Sequence, residues 1–284
     1  MTRCWAAMAS ALLLAACNAH TGASAEIQGG GDESFQQWKL PHRLREISGL
    51  ALTADERLLA ITDEEAIVYE IDYESGELVK AFALGDPTLR GDFEGIAVVG
   101  DVVWLMTSDG DLIATEEAKN GERVSFTRYE TGLGRYCELE GLGQDAEQQM
   151  LFLGCKEMRK KRDELKIFQV SVASMPPVQT AAVALSEQAL AEEVGKKHLR
   201  PSALAIDPES GNRILLAANH RALVILSPEA VLIDAIILPG QGRHKQAEGL
   251  EVTRDGRLLI ADEGGNGRGR LAVYRWTGNG LEPE

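Results

Sequence analysis

The sequence is short of basic charge. Only 29 lysines and arginines stand against 44 aspartates and glutamates, a formal net charge of −15. Nucleic acids and anionic membrane surfaces are both held by basic patches, so neither is an expected electrostatic partner. Aromatic residues are scarce too, at 5%, which excludes a base-stacking platform. What the acidity does suit is a cation. The chain has no GxSxG elbow, no P-loop, no HExxH and no CxxC. The usual signatures of serine hydrolases, nucleotidases, zinc proteases and dithiol oxidoreductases are therefore missing. Gly264–Gly269 (GGNGRG) follows one apolar run and leads into another. Without a helix to cradle phosphate, it reads as a hairpin loop. The basic run at 159–162 (RKKR) reads as a solvated connection between strands.

Long hydrophobic runs are confined to the N-terminus. An apolar stretch at 5–16 follows Arg3. It falls short of the roughly 20 residues that span a bilayer and has the length of a secretory h-region. Leu14-Ala15-Ala16-Cys17 resembles the bacterial lipobox. That resemblance implies cleavage before Cys17 and membrane attachment through lipid on Cys17. An ordinary signal peptide cut nearby is the alternative. Asn18, where Asp would favour inner-membrane retention, points to the outer membrane, facing the periplasm. Three segments follow: a lipoprotein signal peptide at 1–16, a lipidated Cys and flexible Gly-rich tether at 17–33, and a folded body at 34–284. Loss of Arg3 with the signal takes the mature charge to −16. Of four cysteines, Cys4 leaves with the signal and Cys17 carries the lipid. Cys137 and Cys155 remain in an oxidising compartment, where pairing is expected.

A short pattern recurs: Ile47-Ser48-Gly49-Leu50, Phe93-Glu94-Gly95-Ile96, Leu139-Glu140-Gly141-Leu142, Pro201-Ser202-Ala203-Leu204 and Ala247-Glu248-Gly249-Leu250. Its second residue falls at 48, 94, 140, 202 and 248, so the spacings are 46, 46, 62 and 46. The long interval holds 186–194 (SEQALAEEV), which reads as a short helical insertion. Each unit continues with a turn and further apolar or alternating runs, such as 58–62 (LLAIT), 66–71 (AIVYEI) and 78–84 (LVKAFAL). In the second unit the fourth run spans 123–129 (RVSFTRY). Four strands in each of five repeats of this length define an all-β fold, a five-bladed β-propeller of four-stranded antiparallel blades. The fifth unit lacks its fourth strand, while 35–40 (FQQWKL) is a spare strand at the other end. The N-terminal strand is expected to join the last blade and close the ring, hiding both open edges.

The patterns FEGIA, LEGLG, PSALAID and QAEGLE, with Lys156-Glu157 in the third unit and the lipoprotein start, resemble the bacterial SdiA-regulated family. That family is similar to NHL-type propellers. The resemblance implies a five-bladed propeller and a calcium site, and no established reaction.

The innermost strand of a blade lines the central channel. The repeated second residues, Ser48, Glu94, Glu140, Ser202 and Glu248, are thus expected to converge at one mouth. Three carboxylates around a narrow axis repel one another. Protonation, separation by water, or a bound cation relieves that repulsion. A hard cation with 6–8 oxygen ligands, calcium above all, suits Glu94, Glu140 and Glu248 with the two hydroxyls. A solvated acidic mouth without fixed metal is the alternative. Asp63, Asp109, Cys155, Ala217 and Glu263 stand fifteen residues further on, beside Asn219 and Asp262. Asp63, Asp109, Asn219 and Asp262 are candidates to support the site, though Asp and Asn also favour turns. A hairpin turning near 147 brings Cys155 opposite residue 139, within reach of a Cys137–Cys155 disulfide. His42, His198 and His244 precede three of the marked positions by four to six residues. They are candidates for the mouth, as general base or as solvated loop residues. Arg45, Arg200, Arg243 and Lys245 lie nearby, to offset carboxylates or to take an anion.

Two functions compete. One is a lipid-anchored, calcium-binding propeller of the cell envelope that acts as a binding or scaffold module for a small-molecule or protein ligand. The other is a calcium-dependent hydrolase of phosphoesterase or lactonase type at the mouth, a fold-level analogy.

Overall fold

The computed structural model describes residues 35–160, 163–240 and 242–282. The signal peptide, Cys17 and the tether lie outside them. The body is a five-bladed β-propeller. The innermost strands are Ile47–Leu52, Phe93–Val99, Cys137–Asp145, Ala203–Ile206 and Ala247–Val252, and each blade is built outward by antiparallel pairing.

The ring closes as the sequence leads one to expect. Phe35–Lys39 is the outermost strand of blade 5 and pairs antiparallel with Arg270–Arg275, from Phe35 opposite Tyr274 to Lys39 opposite Arg270. The helical insertion is Glu187–Glu193, between blades 3 and 4; the Ser186 hydroxyl caps it, accepting from the Ala189 N–H at 3.2 Å. Its Leu190 and Ala191 are buried with side chains of both blades.

One strand departs from expectation. The run at 123–129 does not form a single fourth strand of blade 2. Arg123–Val124 pairs in parallel with Glu77–Leu84 of blade 1, and only Thr127–Tyr129 pairs with blade 2. Val124 and Phe126 explain the split, because both pack into the apolar layer between blades 1 and 2. Burying them draws the chain across from one blade edge to the next.

There is no single central core. Five apolar clusters fill the five spaces between neighbouring blades. The alternation of each strand therefore serves two clusters, one on each face of its blade. Around the axis the inner strands come so close that two glycines of the pattern leave no room for a side chain. A Cβ on Gly95 would lie 2.5 Å from the Leu142 Cβ, and one on Gly249 would lie 2.6 Å from Leu50 Cγ. These contacts explain Gly95 and Gly249, each of which faces the Leu that follows the glycine of the neighbouring blade.

Candidate functional site

In four blades the marked residue sits in a β-bulge, while Ser202 lies just before the strand Ala203–Ile206, which pairs without one. In blade 1, Ile47 pairs with Thr62 and Gly49 with Ile61, leaving Ser48 unopposed. Glu94 is skipped in the same way in blade 2, and Glu248 in blade 5. Blade 3 has its irregularity across Glu140. An extra residue of this kind turns its side chain out of the alternation.

The serines and the glutamates then part ways. Ser48 Oγ donates to the Phe93 carbonyl at 2.8 Å, and Ser202 Oγ donates to the Ala247 carbonyl at 2.7 Å. Each ties its blade to the residue before the next blade's glutamate. They act as staples between blades.

Glu94, Glu140 and Glu248 do come together, near enough to perturb one another. Burial, then Glu140, Asp92 and Glu248, push the Glu94 carboxyl up to about 9. Burial, then Glu263 and Glu140, push Glu248 up to about 8. Burial raises Glu140 to about 7, although Lys156 works in the opposite direction. Lys156 Nζ donates to Glu140 Oε1 at 2.9 Å and lies 3.3 Å from Glu138 Oε1. Glu140 Oε2 is buried without a hydrogen-bond partner. The axial cavity lined by Ser48, Glu94 and Glu248 measures about 10 Å³, room for about one water molecule or ion. No group of three or more His, Cys, Asp or Glu among the described residues is gathered so as to hold a metal ion as the side chains stand.

The remaining candidates divide. Asp63 borders the mouth: it raises Glu248, and burial with Glu46 and Glu64 raises its own carboxyl. Its Oδ1 is buried without a partner. Asp109 is exposed and lies 3.6 Å from Arg159. Asn219 is exposed on the short turn Ala218–His220. Asp262 is buried away from solvent, its Oδ2 2.8 Å from His244 Nδ1, while His244 Nε2 lies 2.7 Å from the Tyr274 hydroxyl. His244 is 2% exposed, so it braces blade 5 and is closed to a ligand. His198 is exposed, with Nδ1 3.6 Å from Glu187, and His42 is exposed on the turn His42–Leu44. Arg45 pairs with Glu46, Arg200 with Glu157 at 2.9 Å, and Arg243 stacks 4.1 Å over the Phe35 ring. Lys245 is exposed. Cys137 and Cys155 are disulfide-bonded. The residue missed from sequence is Lys156. In the hairpin of blade 3, Glu157 faces Glu138 and Cys155 faces Leu139, so Lys156 is itself an unpaired bulge residue.

The far end of the channel differs. There Gln144 of blade 3 reaches across to the Val98 N–H of blade 2 and donates to the Leu52 carbonyl of blade 1 at 2.7 Å. Glu251 of blade 5 is buried there, accepting the Val252 N–H at 3.3 Å and a backbone hydrogen bond from Leu52. Both line a cavity of about 310 Å³.

Fold and mouth together define a propeller with an acidic cluster at one end of its axis, Glu140 buried and Glu94 and Glu248 half-buried. The family model described as SdiA-regulated matches residues 34–266, and the chain belongs to that family. No curated protein matches it. Its structural neighbours are β-propeller proteins. The luciferin-regenerating enzyme is 9% identical with a TM-score of 0.52, over 87% of this chain and 94% of that one. The glutaminyl cyclase of Myxococcus xanthus is 13% identical with a TM-score of 0.53, over 88% and 95%. At such identities the likeness shows the fold alone.

Proposed function

We propose that the protein is a binding or scaffold module of the cell envelope, anchored by lipid on Cys17, whose propeller mouth takes one calcium ion. The observation that carries this reading is the state of the three carboxylates. Glu94 and Glu248 have neither a hydrogen bond nor an ion pair among the described residues, and Glu140 keeps a buried oxygen without a partner. Glu140 is buried and Glu94 and Glu248 are half-buried, and carboxylates crowded together with so little water around them favour a proton or a cation. Glu94, Glu140 and Glu248 would hold the ion. When bound, it would neutralise the ring and offer a Lewis-acidic position to an oxygen-bearing ligand. The lipid anchor rests on the sequence around Cys17.

The hydrolase reading has less support. His244 has both ring nitrogens engaged, and the axial cavity is small, so His244 is not offered there as a free general base. Elemental analysis of the purified full chain, beside thermal melts with and without chelator, tests the proposal. One calcium per chain and a melt lowered by chelator are expected. A metal-free chain whose melt ignores chelator would overturn it. Membrane fractionation of Cys17→Ser tests the anchor: the variant should leave the membrane fraction, and retention there would refute lipidation.

A further inference from the structure

We propose that Lys156 is a built-in counter-ion of the mouth that competes with an external cation for Glu140. The inference rests on the cation-binding reading above and adds what limits that binding. Lys156 stands on the strand Met150–Met158, directly after the bridged Cys155. As an unpaired bulge residue it is turned toward Glu140 and Glu138, and the disulfide beside it fixes the backbone that carries it. Its ammonium bonds Glu140 at 2.9 Å and Glu138 at 3.3 Å, and its charge reaches Glu94 and Glu248 as well. All three ring carboxylates therefore feel one tethered cation.

The two partners of Lys156 are unlike. The Glu140 side chain is 7% exposed and that of Glu138 is 48% exposed. A flexible four-carbon stem can leave the inner partner and keep the outer one. An entering ion then takes Glu140 while Lys156 stays on Glu138. Before the ion arrives, Lys156 neutralises part of the ring and holds the metal-free mouth together. Once the ion is present, the same ammonium repels it. Affinity is thereby set below that of three carboxylates alone, and a monovalent ion gains little over the resident ammonium.

The test is calorimetric titration of the chelator-stripped full chain with calcium, for wild type, Lys156→Met and Lys156→Arg, with chelator-only melts alongside. Removing the charge should tighten calcium binding about tenfold or more, while arginine, which keeps the charge, should stay within about threefold of wild type. In chelator, Lys156→Met should melt below wild type at pH 8. Lys156→Gln replaces the methionine variant if that chain fails to fold. Equal calcium affinity in wild type and charge-removed chains overturns the role of Lys156 and leaves the cation site standing. Absence of calcium binding in all three overturns the cation-binding reading and this inference with it.

Discussion

The two ends of the channel are made from the same five strands and are opposite in character. At the mouth, bulges turn Glu94, Glu140 and Glu248 out of the strand alternation, and Glu140 keeps a buried oxygen without a partner. At the far end, Gln144 and Glu251 sit among backbone groups that they satisfy. A buried polar group that is fully bonded stabilises and specifies a fold; one that is not marks a place where something else is expected. The far end knits the ring, and the mouth is where the proposed ion would sit.

The largest blow to the comparison should come from the disulfide, which anchors the mouth side of blade 3. Replacing Cys137 and Cys155 by serine should cost about 3 kcal/mol in denaturant unfolding, with weaker calcium binding as the backbone that carries Glu140 loosens. Unchanged stability would mean that the bridge only decorates the site.

Glu251→Gln sharpens the other side. Burial holds the Glu251 carboxyl up at about 8 in the folded chain, against about 4.3 unfolded. A raised carboxyl favours folding most at low pH, and that contribution is lost as pH climbs through about 8. The glutamine variant escapes this loss. At pH 9 it should exceed wild type by on the order of 2 kcal/mol, with calcium binding untouched. The mouth carboxyls carry the same sign, so metal-free wild type should also weaken as pH rises from about 4.3 toward 9, in the range set by Glu94 and Glu248.

Gln144→Ala should cost about 1 to 2 kcal/mol, because the Val98 N–H and Leu52 carbonyl lose their partner in a buried place. Its calcium titration should match wild type. Loss of calcium binding there would join the two ends that the account keeps apart. Ser48→Ala is the mildest change, about 1 kcal/mol for one inter-blade hydrogen bond, read from the thermal midpoint. A larger effect on calcium than on stability would promote Ser48 from staple to ligand.

Much of this was legible in the chain. The spacing of the marked residues and the complementary end strands give the ring and its closure, because repeat period and strand alternation are local properties. The Cys137–Cys155 pair follows from one hairpin. What escaped reading depends on neighbours far apart in sequence. His244 precedes a marked glutamate, yet it turns inward to Asp262 and Tyr274. Lys156 reaches Glu140 because of a bulge that strand alternation does not announce. Val124 and Phe126 follow the nearest apolar layer across a blade boundary. Glu251 did leave a signal: the equivalent positions hold Ala51, Ala97, Gly143 and Ala205, so a carboxylate there is out of place.

The most direct test sets the two ends against each other: calorimetric calcium titration of wild type, Glu94→Gln and Glu251→Gln. Wild type and Glu251→Gln should each bind one ion per chain, and Glu94→Gln none. No calcium in wild type, or binding that survives Glu94→Gln and vanishes in Glu251→Gln, would contradict the proposed site.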